Sequence, residues 1–134
     1  MSADGTPARA TAGPELLVLQ RWETYTGWLL EHCGKWPKSA RFTLAQRVEN
    51  HALDITEQLV VARYDPGARR DLLRRVNLTR ERLRFLFRIA VNARVMPKSG
   101  FESAMRGADE AGRMVHGWRR ALGDRSAAQP EAAS

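Results

Sequence analysis

Residues 77–94 read NLTRERLRFLFRIAVNAR, and the architecture of the chain follows from how this segment distributes its side chains. It carries five arginines, one glutamate, two phenylalanines and a run of aliphatics. Extended to Ala68–Val95 and placed on a helical wheel, it shows one apolar stripe of Leu72, Val76, Thr79, Leu83, Leu86, Ala90 and Ala93. That stripe predicts a core-facing side. A second, shorter stripe of Leu78, Phe85 and Ile89 lies more than a quarter turn away. One small bundle has no obvious place for it, and an apolar patch on a soluble surface marks an interface. These three residues are therefore expected to meet another subunit; the alternative is a central helix buried on two sides.

Working outward, three more helices follow from the same periodicity. Pro14 suits a first turn, and Leu19, Trp22, Leu29 and Cys33 recur at helical spacing before Gly34 and Pro37 stop the helix. After Ser39, or Thr43 at the latest, Ala45, Val48, Ala52, Ile55, Leu59 and Ala62 step by threes and fours. YDPG at 64–67 is a turn by its Pro and Gly chemistry. Phe101, Ala104, Ala108, Ala111, Val115, Trp118 and Leu122 define the last helix, which Gly123 is expected to close. No alternating stretch argues for strands. Four helices on short loops predict an all-α, antiparallel up-down-up-down four-helix bundle. The bundle should span 14–122, between polar tails at 1–13 and 123–134 too poor in apolar residues to order themselves.

The chain of 134 residues has a net charge of +7, and nineteen of its twenty-two basic residues are arginine. A GC-rich coding bias accounts for arginine over lysine, but not for the excess of positive charge. The segment from Ala68 to Val95 alone holds nine arginines against Asp71 and Glu81, a net of +7 that equals the whole chain's excess. A third line on its wheel, Arg70, Arg74, Asn77, Glu81, Arg84 and Arg88, forms a positive track in which Glu81 can pair with Arg84. The candidate contact set is Arg70, Arg74, Arg80, Arg82, Arg84 and Arg88, joined by Lys38 and Arg41 before helix two. A phosphate backbone is the simplest compensator of such a track, and an acidic patch on a protein partner is the next.

Little points to catalysis, and no cofactor or metal is implied. His32, His51 and His116 fall in no metal-ligand spacing, and there is no Gly-rich phosphate loop. His32 and Cys33 are adjacent on a helix and so diverge by about 100°. His51 and His116 are expected to be half-buried and structural, and Asp109 and Glu110 to be surface residues. Trp22 and Trp118 read as packing, while Trp36 could stack on a base but better suits a staple over the end of helix two. A lone cysteine forms no internal disulfide and fits a reducing compartment. No apolar run approaches the roughly 20 residues that span a bilayer. The first residues lack an apolar signal core, so a cytoplasmic protein is expected.

Three segments together, KWPKSARFTLAQRVENHALDI (35–55), NLTRERLRFLFRIA (77–90) and AGRMVHGW (111–118), resemble the accessory variability determinants of bacterial diversity-generating retroelements. The likeness covers roughly residues 16–121. It implies a four-helix protomer in a homo-oligomeric, pentameric ring with a positive surface. It also implies association with the element's reverse transcriptase and binding of RNA or DNA, in support of mutagenic cDNA synthesis, without a catalytic centre of its own. Arg41, Arg47, Arg82, Arg84 and Arg113 match basic positions of the family pattern; Arg47 and Arg113 lie near core stripes and are read as structural ion pairs with Asp54, Glu49 or Glu110. Trp36 stands where the family has Phe before the proline, and Ala45 where it often has Gly. A related four-helix family encoded in ribosomal-RNA intervening sequences shares the loop and fold, but ALDITEQLVVAR (52–63) departs from its pattern in helix two.

Overall fold

A computed structural model describes residues 13–128. Residues 1–12 and 129–134, which hold most of the two expected tails, lie outside the described residues. The described chain is helical throughout, with α1 Gly13–Cys33, α2 Gln46–Tyr64, α3 Arg69–Asn92 and α4 Lys98–Ala128. Each helix packs on its sequence neighbour, and α1 closes the ring against α4. This is the antiparallel four-helix arrangement that short connections impose. None of the described helices is long and apolar enough to cross a membrane.

The core is built from one stripe per helix. α2 contributes Val48, Ala52, Ile55, Leu59 and Ala62, all as its periodicity predicts. α1 buries Val18, Trp22, Thr26, Leu29 and Cys33, so Val18 takes the place expected of Leu19, which is only partly covered. α3 buries Leu73, Val76, Thr79, Leu83, Phe87 and Ala90. Leu73 and Phe87 thus displace Leu72 and Leu86 to its half-buried flank, and Ala93 is exposed beyond the helix end. At 18/19, 72/73 and 86/87 two large apolar residues stand side by side in sequence, and a wheel cannot choose between neighbours. Leu78, Phe85 and Ile89 remain exposed, so α3 is not a central helix buried on two sides.

Aromatic side chains brace α1 to both its neighbours. Trp22 Nε1 donates to the Ala52 carbonyl of α2 at 3.1 Å, and Tyr25 Oη donates to the Ala104 carbonyl of α4 at 2.7 Å. The rings continue as a ladder: Tyr25 against Trp28, Trp28 stacked on His32 at 5.0 Å, and His32 edge-on to Trp36. Trp36 is therefore buried at the mouth of the bundle, where a stacking partner could not reach it. Its connection carries a short 3₁₀ turn, Lys38–Ala40, and a π turn, Arg41–Ala45, before α2 becomes α-helical. That inserted turn leaves Phe42 exposed.

The other connections are set by single side chains. Asp65 Oδ1 accepts from the backbone N–H of Gly67 and Ala68, which closes the turn that leads into α3. Arg69 reaches back to the Ala62 and Arg63 carbonyls at the end of α2 and lies over the Trp118 ring. α3 ends at Asn92, three residues earlier than its periodicity suggests, because Arg94 adopts φ +62°. The Val95 N–H then returns to the Ala90 carbonyl at 2.9 Å, a closure in which the left-handed residue is usually glycine. α4, by contrast, passes through Gly123 and continues to Ala128.

Two predictions follow from these local features. Arg94→Gly removes the left-handed penalty and should raise unfolding stability in urea by about 1 kcal/mol. Burial, aided by the charge of Lys35, depresses the pKa of His32; burial, with Arg82 next, does the same for His51 against the opposing pull of Asp54. The unfolded chain then binds more protons than the folded one just below the ordinary histidine pKa of about 6.5, so stability falls as pH drops through that value. Urea midpoints measured from pH 7.5 to 5.5 should show this loss. His32→Phe, which keeps a ring on Trp28, should flatten it in part.

Candidate nucleic-acid interface

The arginines of α3 do not form one uniform track. Nearest the core, Arg80 is 12% exposed and sits in a closed network. Its Nε and Nη2 donate to Asn77 Oδ1 at 3.1 and 2.9 Å, and Nη2 also meets Glu81 at 3.0 Å. Arg84 Nη1 pairs with Glu81 at 3.0 Å, the contact its helical spacing predicts. Its Nε lies 3.0 Å from Asp109 of α4, close enough for an ion pair but too bent for a hydrogen bond. Arg80 approaches the same carboxylate at 3.9 Å. The Arg80 guanidinium rests on Gly112, where a Cβ would lie 2.7 Å from Cζ. These contacts pin α3 to α4 and absorb the charge of two arginines expected to face a partner. Asp109 is thus more than a surface carboxylate.

Beyond this seam the arginines lie at the surface. Arg70, Asp71 and Arg74 of α3 face His116, Arg119, Arg120 and Leu122 of α4 across a groove of about 590 Å³. Among the described residues, four arginines and one carboxylate line it. Asp71 pairs with Arg74 at 2.7 Å and Arg75 at 3.0 Å. The Arg74 hydrogen bond, then the Arg75 charge, hold its carboxyl below the usual carboxylate range. Such exposed pairs contribute little to stability and exchange readily for a stronger anion. A shallower depression of about 370 Å³ adjoins the groove; Arg113 lines it beside the Arg80–Glu81–Arg84–Asp109 network, and it shares His116 with the groove. The α3–α4 seam therefore presents a basic channel with room for a phosphate-bearing strand.

Other expected contact residues lie elsewhere. Arg82 is exposed on the side toward α2, where its charge acts on His51. Arg88 lies over the Phe85 ring at 5.0 Å, beside the second apolar stripe. Lys38 and Arg41 are exposed in the α1–α2 connection, at the opposite end of the bundle from the groove. Arg47 and Arg113 are corrected: both are exposed, and among the described residues neither forms an ion pair. Glu110 instead pairs with Arg21 at 2.7 Å, while Glu49 acts on Cys33 and Asp54 on His51. His116 is exposed in the groove rather than half-buried.

What the sequence reading missed is the share of α4. Arg113, His116 and Arg120 recur at intervals of three and four, so a wheel drawn for α4 as well as α3 places them together. His32 and Cys33 do diverge: the imidazole lies in the aromatic ladder, and the thiol is buried, its pKa pushed up to about 12 by that burial and then by Glu49. A thiol so shifted is not a nucleophile at neutral pH. Among the described residues, no three His, Cys, Asp or Glu side chains gather to hold a metal ion.

Gly112→Ala should push Arg80 off its seat and cost about 2 kcal/mol by overpacking. Asp109→Ala should cost about 1 kcal/mol yet strengthen retention on heparin, because two guanidinium groups lose a shared counter-charge. Urea unfolding and salt elution from a heparin column check the pair.

A family model described as bAvd-like matches residues 16–122. No curated protein and no solved structure matches the chain.

Proposed function

This chain belongs to the bAvd-like family, and from that membership and its surface we propose that it is a non-catalytic accessory protein of a diversity-generating retroelement. In this role it binds template RNA or its DNA copy together with the element's reverse transcriptase, in the cytoplasm, and supports mutagenic cDNA synthesis. It works as a homo-oligomer, a pentamer by the family resemblance.

The observation that carries nucleic-acid binding is the α3–α4 groove, where Arg74, Arg119 and Arg120 cluster at the surface and Asp71 is the carboxylate among the described lining residues. Guanidinium groups bind phosphate through paired N–H donors, and each phosphate they neutralise releases counterions. The contacts fall on a helix seam and read no base edge. Binding of this kind tolerates many sequences and suits a protein that must follow a strand through its copying. Self-association is supported by the exposed Leu78, Phe85 and Ile89 stripe.

The test is fluorescence anisotropy with a short labelled RNA across a salt series. The triple variant Arg74→Glu, Arg119→Glu, Arg120→Glu should bind at least about tenfold more weakly. Its logarithmic salt slope should shrink by about two, at roughly 0.7 per lost contact. Far-ultraviolet circular dichroism should be unchanged. Unaltered binding by the triple variant would remove the groove from the interface.

A further inference from the structure

The second apolar stripe of α3 has a counterpart on α2. On α3, Leu78, Phe85 and Ile89 are separated by seven and then four residues; on α2, Leu53, Val60 and Tyr64 have the same two intervals, 25 residues earlier. All six are exposed, from 41% at Val60 to 73% at Tyr64. None belongs to the core stripes, which are supplied by other positions on both helices. Intervals of seven and four keep residues on one line of a helix and are the spacing of helix–helix seams. Each helix therefore presents, away from its own core, a ready seam with no partner inside the protomer.

The two seams match in spacing and oppose in charge. Four residues after its first apolar member, α2 carries Glu57 and α3 carries Arg82. Glu57 and Arg82 are both exposed and stand near the middle of their stripes, so they approach one another whether the helices pair parallel or antiparallel. Pairing α3 with a second α3 would set arginine against arginine.

We propose that the α2 seam of one copy docks on the α3 seam of another, with Glu57 facing Arg82. The partner is a second copy of this chain. A contact between two different faces of the same chain can propagate from copy to copy and closes into a ring when the rotation permits. The pairing rests on the self-association proposed above and not on nucleic-acid binding, so the two can fail separately.

The experiment is the solution mass of the full chain by light scattering, without nucleic acid. The wild type should exceed a monomer. Glu57→Arg alone and Arg82→Glu alone should each lower the mass, and the double swap should restore it. These substitutions touch only exposed side chains, and circular dichroism melts confirm folding. As a second measurement, Leu53→Asp/Val60→Asp and Leu78→Asp/Phe85→Asp should each be monomeric alone and form a dimer when mixed, since each retains the face the other lacks. A monomeric wild type, a double swap that fails to recover, or an α2 variant that keeps the full mass would overturn the pairing. RNA anisotropy on the same monomeric variants separates this outcome from loss of the groove.

Discussion

Docking of α4 depends on three glycines at which a neighbouring side chain occupies the space a Cβ would need. His32 lies over Gly100, Tyr25 over Gly107 and Arg80 over Gly112, each leaving less than 3.0 Å for a methyl group. Glycine inside a helix costs about 1 kcal/mol relative to alanine, so each of these positions weakens α4 on its own. Close approach offsets this. It lets the Tyr25 hydroxyl reach the Ala104 carbonyl and the Arg80 guanidinium reach across from α3 toward Asp109. An aromatic seam thus holds α4 to α1 and an ionic seam holds it to α3, both through the same device. Without them α4 would lack the fixed register that sets its arginines opposite those of α3.

The positive charge of α3 is divided by depth. Arg80 and Arg84, nearest α4, are held by Asn77, Glu81 and Asp109 and serve packing. Arg69 caps α2 and covers Trp118. Arg70 and Arg74 line the groove, and Arg82 and Arg88 flank the outer apolar stripe. One residue type thus performs four tasks on one helix, because the guanidinium combines a planar face, directed donors and a permanent charge. A net charge summed over the segment cannot distinguish these tasks.

The bundle was legible because hydrophobic periodicity fixes which side of each helix is inside, and in α2 every core position followed from it. It was less legible where apolar residues are adjacent. Leu72 and Leu73, or Leu86 and Phe87, each satisfy the period to within one position, and only the facing helices decide. Arg94 shows another limit: a left-handed residue that is not glycine gives no local signal for the end of α3. In the candidate site, Arg70 and Arg74 were found from α3 alone, whereas Arg119, Arg120 and His116 required knowing that α4 runs beside it. Pairing of Glu81 with Arg84 is local and was readable; capture of the same arginine by Asp109 is tertiary and was not. Arg47 and Arg113 lie near core stripes on a wheel but outside the packed interior, and the carboxylate expected near Arg113 is taken by Arg21.

The cysteine at the end of α1 gives the fold a built-in clock. Cys33 is the chain's single thiol, 3% exposed, with its pKa near 12. In the closed bundle it is both out of reach of an alkylating reagent and almost wholly protonated, and alkylation needs access and a thiolate. Modification therefore waits until the end of α1 separates from its neighbours. The rate at which this one sulfur is labelled counts openings at that end of the molecule, where the aromatic ladder terminates, and does so without any introduced probe.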